Sequence, residues 1–255
     1  MPGVASDPPL VSIVTPVLNG ARFLRENLDS VRAQEYPRLE HVVVDGGSTD
    51  GTLEILAGRT DVTWVSGKDA GMYDAINAGL RLARGEVVAY QNADDRYVPG
   101  AVSRALELLR ARPELDVVYG DYQCVDAAGR PLGPPRRSPA FDPRALRRWN
   151  YIPPQSTFLR RRLASEEGLW LDPELQYPGD WDWYLRLSAA GKRFEHLPAV
   201  LSEFRLHDGS KTRTLGWSAK LRDWRRVCRK NGLSLPLLLW YGALWYPLRR
   251  RLGLL

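Results

Sequence analysis

The sequence has few of the residues that mark disulfide-stabilised or metal-rich proteins. Its 255 residues include only two cysteines, Cys124 and Cys228, and three histidines. Two cysteines so far apart build neither a disulfide framework nor a cysteine metal site, so we expect two free thiols. The chain also has no internal repeat and no low-complexity tract. It therefore depends on an ordinary hydrophobic core.

The first ten residues lack the features of an export signal. They contain neither a basic start nor an apolar run, so we expect the protein to stay in the cytoplasm. Hydrophobic residues make up 44% and charged residues 26% of the chain, which disfavours a disordered chain and a polytopic membrane protein. A chain of this length fits one large α/β domain or one domain with appendages.

The net charge of +6 indicates an anionic partner. The excess is concentrated on both sides of an uncharged, apolar stretch over residues 231–248, at Arg222, Arg225, Arg226, Arg229, Lys230, Arg249, Arg250 and Arg251. This placement favours a membrane surface, because basic and aromatic residues do not alternate through any recognisable nucleic-acid module. We expect no nucleic-acid partner.

The uncharged stretch is slightly shorter than the roughly 20 apolar residues that a spanning helix needs. Pro236 and Pro247 shorten its regular part further. Its Trp and Tyr residues suit the headgroup region of a bilayer. We expect a peripheral contact with the inner membrane; packing on the chain's own domain or across a dimer is the alternative.

The first half of the chain alternates strand and helix patterns, which is typical of an α/β fold with a mainly parallel central sheet. The patterns predict strands over residues 11–16, 39–45, 61–66 and 86–91, and helices over residues 21–34, 51–58, 72–85 and 101–112. A further strand follows, with a hairpin turn over residues 126–130. The next clear element is a helix over residues 179–191.

Small or polar residues follow each of the first four strands, and three of these four loops contain an aspartate. In open α/β sheets, ligands bind beyond the carboxyl ends of the strands. Converging carboxylates there predict a polar ligand with a divalent cation. The glycine-rich loop over residues 46–51 fits neither a dinucleotide fingerprint nor a P-loop, so a tight turn is favoured over a phosphate site.

The fourth strand ends on two adjacent aspartates, Asp94 and Asp95. Side-by-side carboxylates repel each other unless they are solvated, hydrogen-bonded or neutralised by a cation. A divalent cation beside a diphosphate would explain them. The alternative is an aspartate-rich turn.

Three stretches in this order, residues 11–52, 67–95 and 179–187, resemble the family 2 glycosyltransferases, which are inverting enzymes of GT-A (Rossmann-like) fold with nucleotide-sugar donors. The similarity extends over residues 11–212. It implies transfer of a sugar from a nucleotide diphosphate donor, with uridine favoured, to a hydroxyl of a glycan or lipid-linked acceptor. Such reactions build cell-surface polysaccharides or glycolipids.

The alternation of strand and helix patterns, which stops after the first half, also indicates how the chain is divided. We expect an N-terminal tail over residues 1–9 and a nucleotide-sugar-binding half over residues 10–121. An acceptor-binding, catalytic half follows over residues 122–215. Residues 216–255 form a basic and apolar C-terminal segment.

The resemblance implies a set of donor-binding residues. The nucleotide contacts are Pro16, Val17, Asn19, Asp45, Asp69, Asn92 and Asp94. The ligands for Mg²⁺ or Mn²⁺ are Asp94, Asp95 and His207. Asn92 stands where an aspartate is common, which removes one charge from the site.

The same resemblance implies the catalytic residue. An inverting transfer needs a carboxylate to take the proton of the acceptor hydroxyl, and Asp180 occupies that position, with Gly179 where the family has Glu. Asp182 lies two residues further along the helix and points to another face. Arg205 and Lys211 are expected to add charge near phosphate, and Gln155 to lie near the acceptor. As the alternative role, Asp180 or Asp182 caps the helix.

Two other functions remain open. A sugar-phosphate nucleotidyltransferase shares this kind of sheet, but such enzymes carry a glycine-rich, basic signature after the first strand, which is missing here. A non-catalytic membrane-associated scaffold is the second. Carboxylates at Asp94, Asp95 and Asp180 favour an enzyme, since a scaffold does not need them.

Overall fold

The computed structural model describes residues 7–234, so the extreme N-terminus and the predicted membrane contact from residue 235 onward lie outside the described residues. The strands, in chain order, are β1 (Val11–Val17), β2 (Leu39–Asp45), β3 (Thr63–Ser66), β4 (Val87–Tyr90), β5 (Arg96–Tyr97), β6 (Val117–Val125), β7 (Thr157–Arg160) and β8 (Phe194–Arg205).

Helices form over the five segments for which the sequence patterns predict them, and the described residues contain four further helices that were not predicted. In chain order, the helices are α1 (Ala21–Arg32), α2 (Thr52–Ala57), α3 (Met72–Leu82), α4 (Ala101–Ala111), α5 (Pro143–Leu146), α6 (Arg162–Ser165), α7 (Gly179–Ala189), α8 (Lys211–Thr214) and α9 (Trp217–Lys230), with a 3₁₀ turn over Pro154–Ser156. Side chains at the spacing of one helical face are buried in α1, for example Leu24, Leu28 and Val31.

One mixed sheet organises the domain, in the strand order β3-β2-β1-β4-β7-β6-β8-β5. β1 pairs in parallel with both β2 and β4, and β2 pairs in parallel with β3. The register places Val17 opposite Asp45 and Asp45 opposite Ser66, so the carboxyl ends of these strands lie at one edge. The predicted α/β fold with a parallel first half is confirmed. Antiparallel β7 joins that half to β6.

The core lies on both faces of this sheet because successive strand residues point to opposite sides. Val14 and Val88 pack on the face covered by α3 and α7. Ile13 and Ala89 pack on the opposite face with α4. Complete burial of each such valine or isoleucine side chain stabilises the fold by about 1.5–3 kcal/mol.

The expected hairpin after β6 forms, with its turn closed by a hydrogen bond from the Asp126 amide to the Arg130 carbonyl. The returning chain pairs with β6 only through isolated bridges. β6 also runs parallel to β8, with a register shift around Asp121. The pairing brings the end of β8 beside the loop that follows β4.

Helix α9 packs against the second half of the domain. Its inner face buries Asp223, Val227 and Cys228. Asp223 Oδ2 accepts hydrogen bonds from the backbone amides of Gln176 and Tyr177, at 2.7 and 3.1 Å. Among residues 7–234, no helix has both the length and the apolar character needed to cross a bilayer.

Candidate active site

A cleft of about 1180 Å³ opens beyond the carboxyl ends of β1 and β4. The predicted residues that line it are Pro16, Val17, Asn19, Asp69, Asn92, Asp94, Gln155, Asp180, His207 and Lys211. Three other predicted residues, Asp45, Asp95 and Arg205, are buried outside its lining. The fold thus gathers residues from both halves of the chain at one place.

The loop after β1 forms one wall and is tied to the loop after β2. Asn19 has a left-handed φ of 52°, a conformation that asparagine tolerates better than most residues. Its amide donates to Ser48 Oγ at 2.7 Å, and its Oδ1 accepts from the Thr49 amide at 2.9 Å. These contacts hold the backbone that lines the cleft.

Asp45 lies behind this wall, completely buried. It accepts hydrogen bonds from Ser66 Oγ at 2.6 Å and from the amides of Gly47 and Ser48. Burial alone would raise the pKa of Asp45, but these hydrogen bonds outweigh it and hold the pKa below the ordinary value. Asp45 is therefore a fixed carboxylate with its charge retained.

Asp69 reaches this region because residue 46 is glycine. A Cβ at Gly46 would lie 2.7 Å from Asp69 Oδ2, so a larger residue would displace the carboxylate. Asp69 Oδ1 accepts from the Gly71 amide at 2.9 Å. The two predicted nucleotide-binding aspartates thus belong to adjoining loops.

The loop after β4 carries the two adjacent aspartates in different environments. Asp94 faces the cleft, and its Oδ2 lies 2.9 Å from His207 Nε2. Asp95 is buried, with Oδ1 accepting from the Arg205 amide at 2.9 Å. Burial, and then the charge of Asp94, raise the pKa of Asp95 well above its usual range.

Arg205 lies beneath this loop. Its position does not agree with the predicted contact between Arg205 and phosphate. Its side chain is inaccessible to solvent and donates to the carbonyls of Asp94 and Ala127 and to Glu26 Oε2. The Phe23 ring separates the Arg205 guanidinium from the cleft. The centre of the Phe23 ring lies 4.7 Å from the guanidinium carbon and 4.7 Å from the centre of the His207 ring. Arg205 therefore supports the loop instead of lining the cleft.

Asn27 supports the same loop and was missed by the sequence reasoning. Its Nδ2 donates to the carbonyls of Asn92 and Asp95, each at 3.0 Å. Thr15 Oγ1 lies 3.4 Å from Asn27 Oδ1 and 2.8 Å from His41 Nε2. Burial lowers the pKa of His41 to about 3, so this ring is neutral. The sequence feature that could have identified Asn27 is the presence of a polar residue inside the apolar stripe of α1.

Asp180 stands at the first turn of α7 on another wall of the cleft. Its Oδ2 accepts from Asn150 Nδ2 at 2.9 Å, and its Oδ1 lies 3.4 Å from Tyr73 Oη. Burial raises the pKa of Asp180, and hydrogen bonds from the Trp181 amide and Asn150 oppose part of that rise. A carboxylate with a raised pKa is a stronger base.

Asp182, the other candidate, turns away from the cleft. It is completely buried and forms ion pairs with Arg186 and Lys230 at 2.8 and 3.2 Å. The ion pair with Lys230 ties α7 to α9. Asp182 therefore has a structural environment, whereas Asp180 faces the cleft.

Two weaker candidates also line the cleft. Gln155 lies in the 3₁₀ turn. The Lys211 ammonium lies 5.4 Å from the centre of the Tyr73 ring. Burial lowers the pKa of Lys211, while Asp223 and Asp69 oppose that change.

The residues present fit a divalent cation that a diphosphate would complete. In the described part of the chain, no group of three or more His, Cys, Asp or Glu side chains forms a metal site by itself. Asp94 and His207 offer one oxygen and one nitrogen, and Asn92 Oδ1 is buried with no hydrogen-bond partner among residues 7–234. Mg²⁺ commonly takes one or two carboxylates and completes its shell with substrate phosphates and water.

Comparisons with known sequences point to one family. The model of "Glycosyl transferase family 2" matches residues 12–168, more than half of the chain. An uncharacterized glycosyltransferase of Rickettsia typhi is 30% identical over 215 residues, which are 81% of this chain and 67% of that protein. Chondroitin synthase of Escherichia coli is 30% identical over 203 residues, which are 78% of this chain but 29% of that protein.

Solved structures share the fold. TarS of S. aureus, residues 1–349 in complex with UDP-GlcNAc, has a TM-score of 0.72 at 19% identity, over 87% of this chain and 66% of that one. A mannosyltransferase from Pyrobaculum calidifontis in complex with GDP-Man and Mn²⁺ has a TM-score of 0.65 at 23% identity, over 88% and 64%. The predicted GT-A domain is thereby confirmed, and the chain spans about two thirds of these longer chains.

Proposed function

The chain belongs to glycosyl transferase family 2 and is a glycosyltransferase, and we propose that it transfers a sugar from a nucleotide diphosphate donor, with inversion, assisted by Mg²⁺ or Mn²⁺. One observation carries the proposal. Asp180, a carboxylate of raised pKa, lines the same cleft as the Asp94–His207 pair. A base and a cation site facing one cavity are what a single displacement requires.

In the proposed reaction, Asp180 accepts the proton of the acceptor hydroxyl. The hydroxyl oxygen forms a bond to the anomeric carbon while the bond from that carbon to the diphosphate oxygen breaks, so the configuration inverts. A bound divalent cation supplies neutralisation of the charge that develops on the leaving diphosphate. Asp94 and His207 would hold it.

The donor nucleotide would occupy the wall built from the loops after β1, β2 and β3. Asp69 offers a carboxylate to a base or ribose, and Pro16, Val17 and Asn19 offer backbone and a small side chain. Asp45, the other predicted nucleotide contact, is buried behind this wall and holds the loop after β2 through the Gly47 and Ser48 amides. The TarS and mannosyltransferase structures contain UDP-GlcNAc and GDP-Man respectively, which supports a nucleotide diphosphate sugar. We propose uridine as the base.

The acceptor would enter from the side that carries Asp180. Trp149, Tyr151 and Tyr177 line that side together with Gln155, and aromatic surfaces with a few polar groups are typical of sites for organic ligands. We propose a glycan or a lipid-linked sugar as the acceptor, in the assembly of a cell-surface polysaccharide or glycolipid.

A lipid-linked acceptor is supported by the outer face of α9. Arg222, Arg225 and Arg229 lie at helical spacing on that exposed face. Arg225 and Arg229 have no carboxylate within ion-pair distance among the described residues. Trp217, at the start of the helix, is 58% exposed. A basic face with an exposed Trp suits anionic headgroups, so we propose contact with the inner membrane surface.

The first experiment is a thermal-shift series with UDP, GDP, CDP and dTDP, each with Mn²⁺ and again with chelator. A ligand that binds only the folded chain raises the melting temperature once its concentration exceeds the dissociation constant. We expect UDP to stabilise the chain with metal and the shift to disappear with chelator. If a different nucleoside diphosphate stabilises the chain instead of UDP, its base replaces uridine in the proposed donor. No metal-dependent shift with any of them would contradict the donor site.

A second experiment identifies the reaction. The nucleotide product and the anomeric configuration of the transferred sugar are read by NMR with UDP-sugar donors. Release of UDP with an inverted sugar supports the proposal. Release of pyrophosphate from a nucleoside triphosphate and a sugar phosphate would instead identify a nucleotidyltransferase.

A further inference from the structure

The space beside Gly179 is filled by the ring of Tyr73. A Cβ at Gly179 would lie 2.4 Å from Tyr73 Cε2, and its three nearest atoms would all belong to that ring. Gly179 does not have a left-handed φ. Its backbone conformation therefore suits any residue, and only the neighbouring ring requires glycine here.

The same ring carries a hydroxyl whose hydrogen bonds are determined by geometry. The Gly179 amide donates to Tyr73 Oη at 2.8 Å, which occupies an acceptor position of that oxygen. The hydroxyl proton must then be donated elsewhere, and Asp180 Oδ1 at 3.4 Å is the acceptor found. Burial, and then the charge of Asp180, raise the pKa of Tyr73 well above its usual range, so the hydroxyl keeps its proton.

The two oxygens of Asp180 are therefore held from two different parts of the chain. Tyr73 comes from α3, in the donor half, and contacts Oδ1; Asn150 comes from the acceptor side and contacts Oδ2. Contacts at both oxygens restrict rotation of the carboxylate plane. The Lys211 ammonium over the Tyr73 ring contributes to fixing the ring.

We propose that Tyr73 is a positioning residue that orients the Asp180 carboxylate toward the acceptor hydroxyl. The absence of a side chain at Gly179 lets the Tyr73 ring come close enough to contact that carboxylate. This inference rests on the proposed role of Asp180 as the base. Tyr73 stands in the space that a glutamate at position 179 would need. A neutral hydrogen-bond donor from another helix thus stands beside the base.

The test uses Tyr73→Phe, which keeps the ring and removes only the hydroxyl. Tyr119→Phe is the matched control, since Tyr119 is also completely buried, does not line the cleft and donates one hydrogen bond, to the Pro139 carbonyl at 2.8 Å. The probe is UDP-GlcNAc with Mn²⁺, and the reaction measured is release of UDP by hydrolysis. In that reaction a water oxygen bonds to the anomeric carbon, Asp180 takes the proton and the bond to the diphosphate breaks.

We expect Tyr73→Phe to lower kcat by about 10- to 100-fold with the KM for UDP-GlcNAc unchanged, because the base is misaligned while the donor wall is intact. In an Asp180→Asn background, the same change should have no further effect on kcat. Tyr119→Phe should leave kcat unchanged. A Tyr73→Phe enzyme with the kcat of the control would overturn the inference.

A stability cycle decides the contact without any catalysis. Melting temperatures are measured for the wild type, Tyr73→Phe, Asp180→Asn and the double variant. We expect the shifts to be non-additive for this pair and additive when Tyr119→Phe replaces Tyr73→Phe. Additive shifts for both pairs would overturn the inference. Coupled shifts with no release of UDP from any UDP-sugar would leave the positioning contact standing and remove the proposed function.

Discussion

Asp94 Oδ2 lies 2.9 Å from His207 Nε2, although the two residues are 113 positions apart in the chain. The contact joins the loop after β4 to the segment that follows β8, and the Phe23 ring packs against the imidazole. Both side chains also line the cleft. Two groups that contact each other in this way can move apart slightly and share one cation.

Loss of either member of this pair should remove metal-dependent binding of the donor. We expect Asp94→Asn and His207→Ala to fold, but to lose most of the Mn²⁺-dependent rise in melting temperature that UDP produces. Asp208→Asn is the control, since that side chain is 99% exposed and pairs only with Arg213 among the described residues. An undiminished shift in both site variants would exclude this pair as ligands.

Asp180 should make the stability of the domain depend on pH in a distinctive direction. Burial raises the pKa of Asp180 in the folded state above the ordinary 3.8. At pH values between the unfolded-state pKa and the folded-state pKa, the folded state therefore binds more protons than the unfolded state. Stability due to this group therefore falls as pH rises through that window and then levels off. The stability of Asp180→Asn relative to the wild type should accordingly increase from about pH 4 upward.

Asp61→Asn serves as the reference in that measurement. Hydrogen bonds from Arg59 lower the pKa of Asp61. Above about pH 5 its carboxyl is therefore charged in both states, and the difference between Asp61→Asn and the wild type should stay flat. Melting curves at intervals between about pH 4 and 8 give both differences. Parallel curves for wild type and Asp180→Asn would show that the carboxyl is not perturbed.

Asn27→Ala should damage both the fold and the donor site. The substitution leaves two buried carbonyls without their donor, at a cost of about 2–4 kcal/mol. Asn77→Ala is matched, because Asn77 is equally buried and makes two hydrogen bonds with the backbone of Leu171. We expect similar loss of stability in chemical denaturation from both variants. Only Asn27→Ala should also weaken metal-dependent UDP binding; equal UDP binding in the two variants would contradict the role of Asn27.

The basic face of α9 predicts binding to anionic vesicles. The full chain should co-sediment with phosphatidylglycerol vesicles at low salt and less at high salt. Reversing Arg225 and Arg229 to Glu should weaken this binding at least about tenfold, since each arginine near the surface contributes about 1 kcal/mol. The control reverses Arg104 and Arg110, two exposed residues of α4. Equal loss of vesicle binding in both double variants would show that net charge alone, and not the face of α9, determines the binding.

Local patterns predict the first half of the fold well. The strand predicted over residues 11–16 is Val11–Val17, and the helix predicted from residue 72 is Met72–Leu82, because each pattern depends on near neighbours. β8 was not predicted, although it is the longest strand. Pro198 lies within it, where the pairing skips from Leu197 to Val200, so its alternation is interrupted.

Like the fold, the candidate site contains some residues that local sequence patterns predict and others that they do not. Short motifs that lie in order along the chain predict these site residues: Asn19 and Asp94 follow strands, and Asp180 lies at the start of a helix. Tyr73 and Asn27 have roles that depend on partners 107 and 65 or more positions away. A polar residue inside an apolar helical stripe marks Asn27, but no local pattern shows which partner Asn27 or Tyr73 contacts, because only the packing of helices on the sheet brings those polar atoms together.

The hydrogen bonds of Asp223 and Arg205 have a consequence for synthesis on the ribosome. The segment that matches the family, residues 12–168, emerges first and can pair its parallel strands. Yet the loop at Asp94 needs Arg205, and the segment before Asp180 needs Asp223. Both walls of the cleft are therefore completed by late residues. A nascent chain should acquire a sheet well before it acquires a complete cleft.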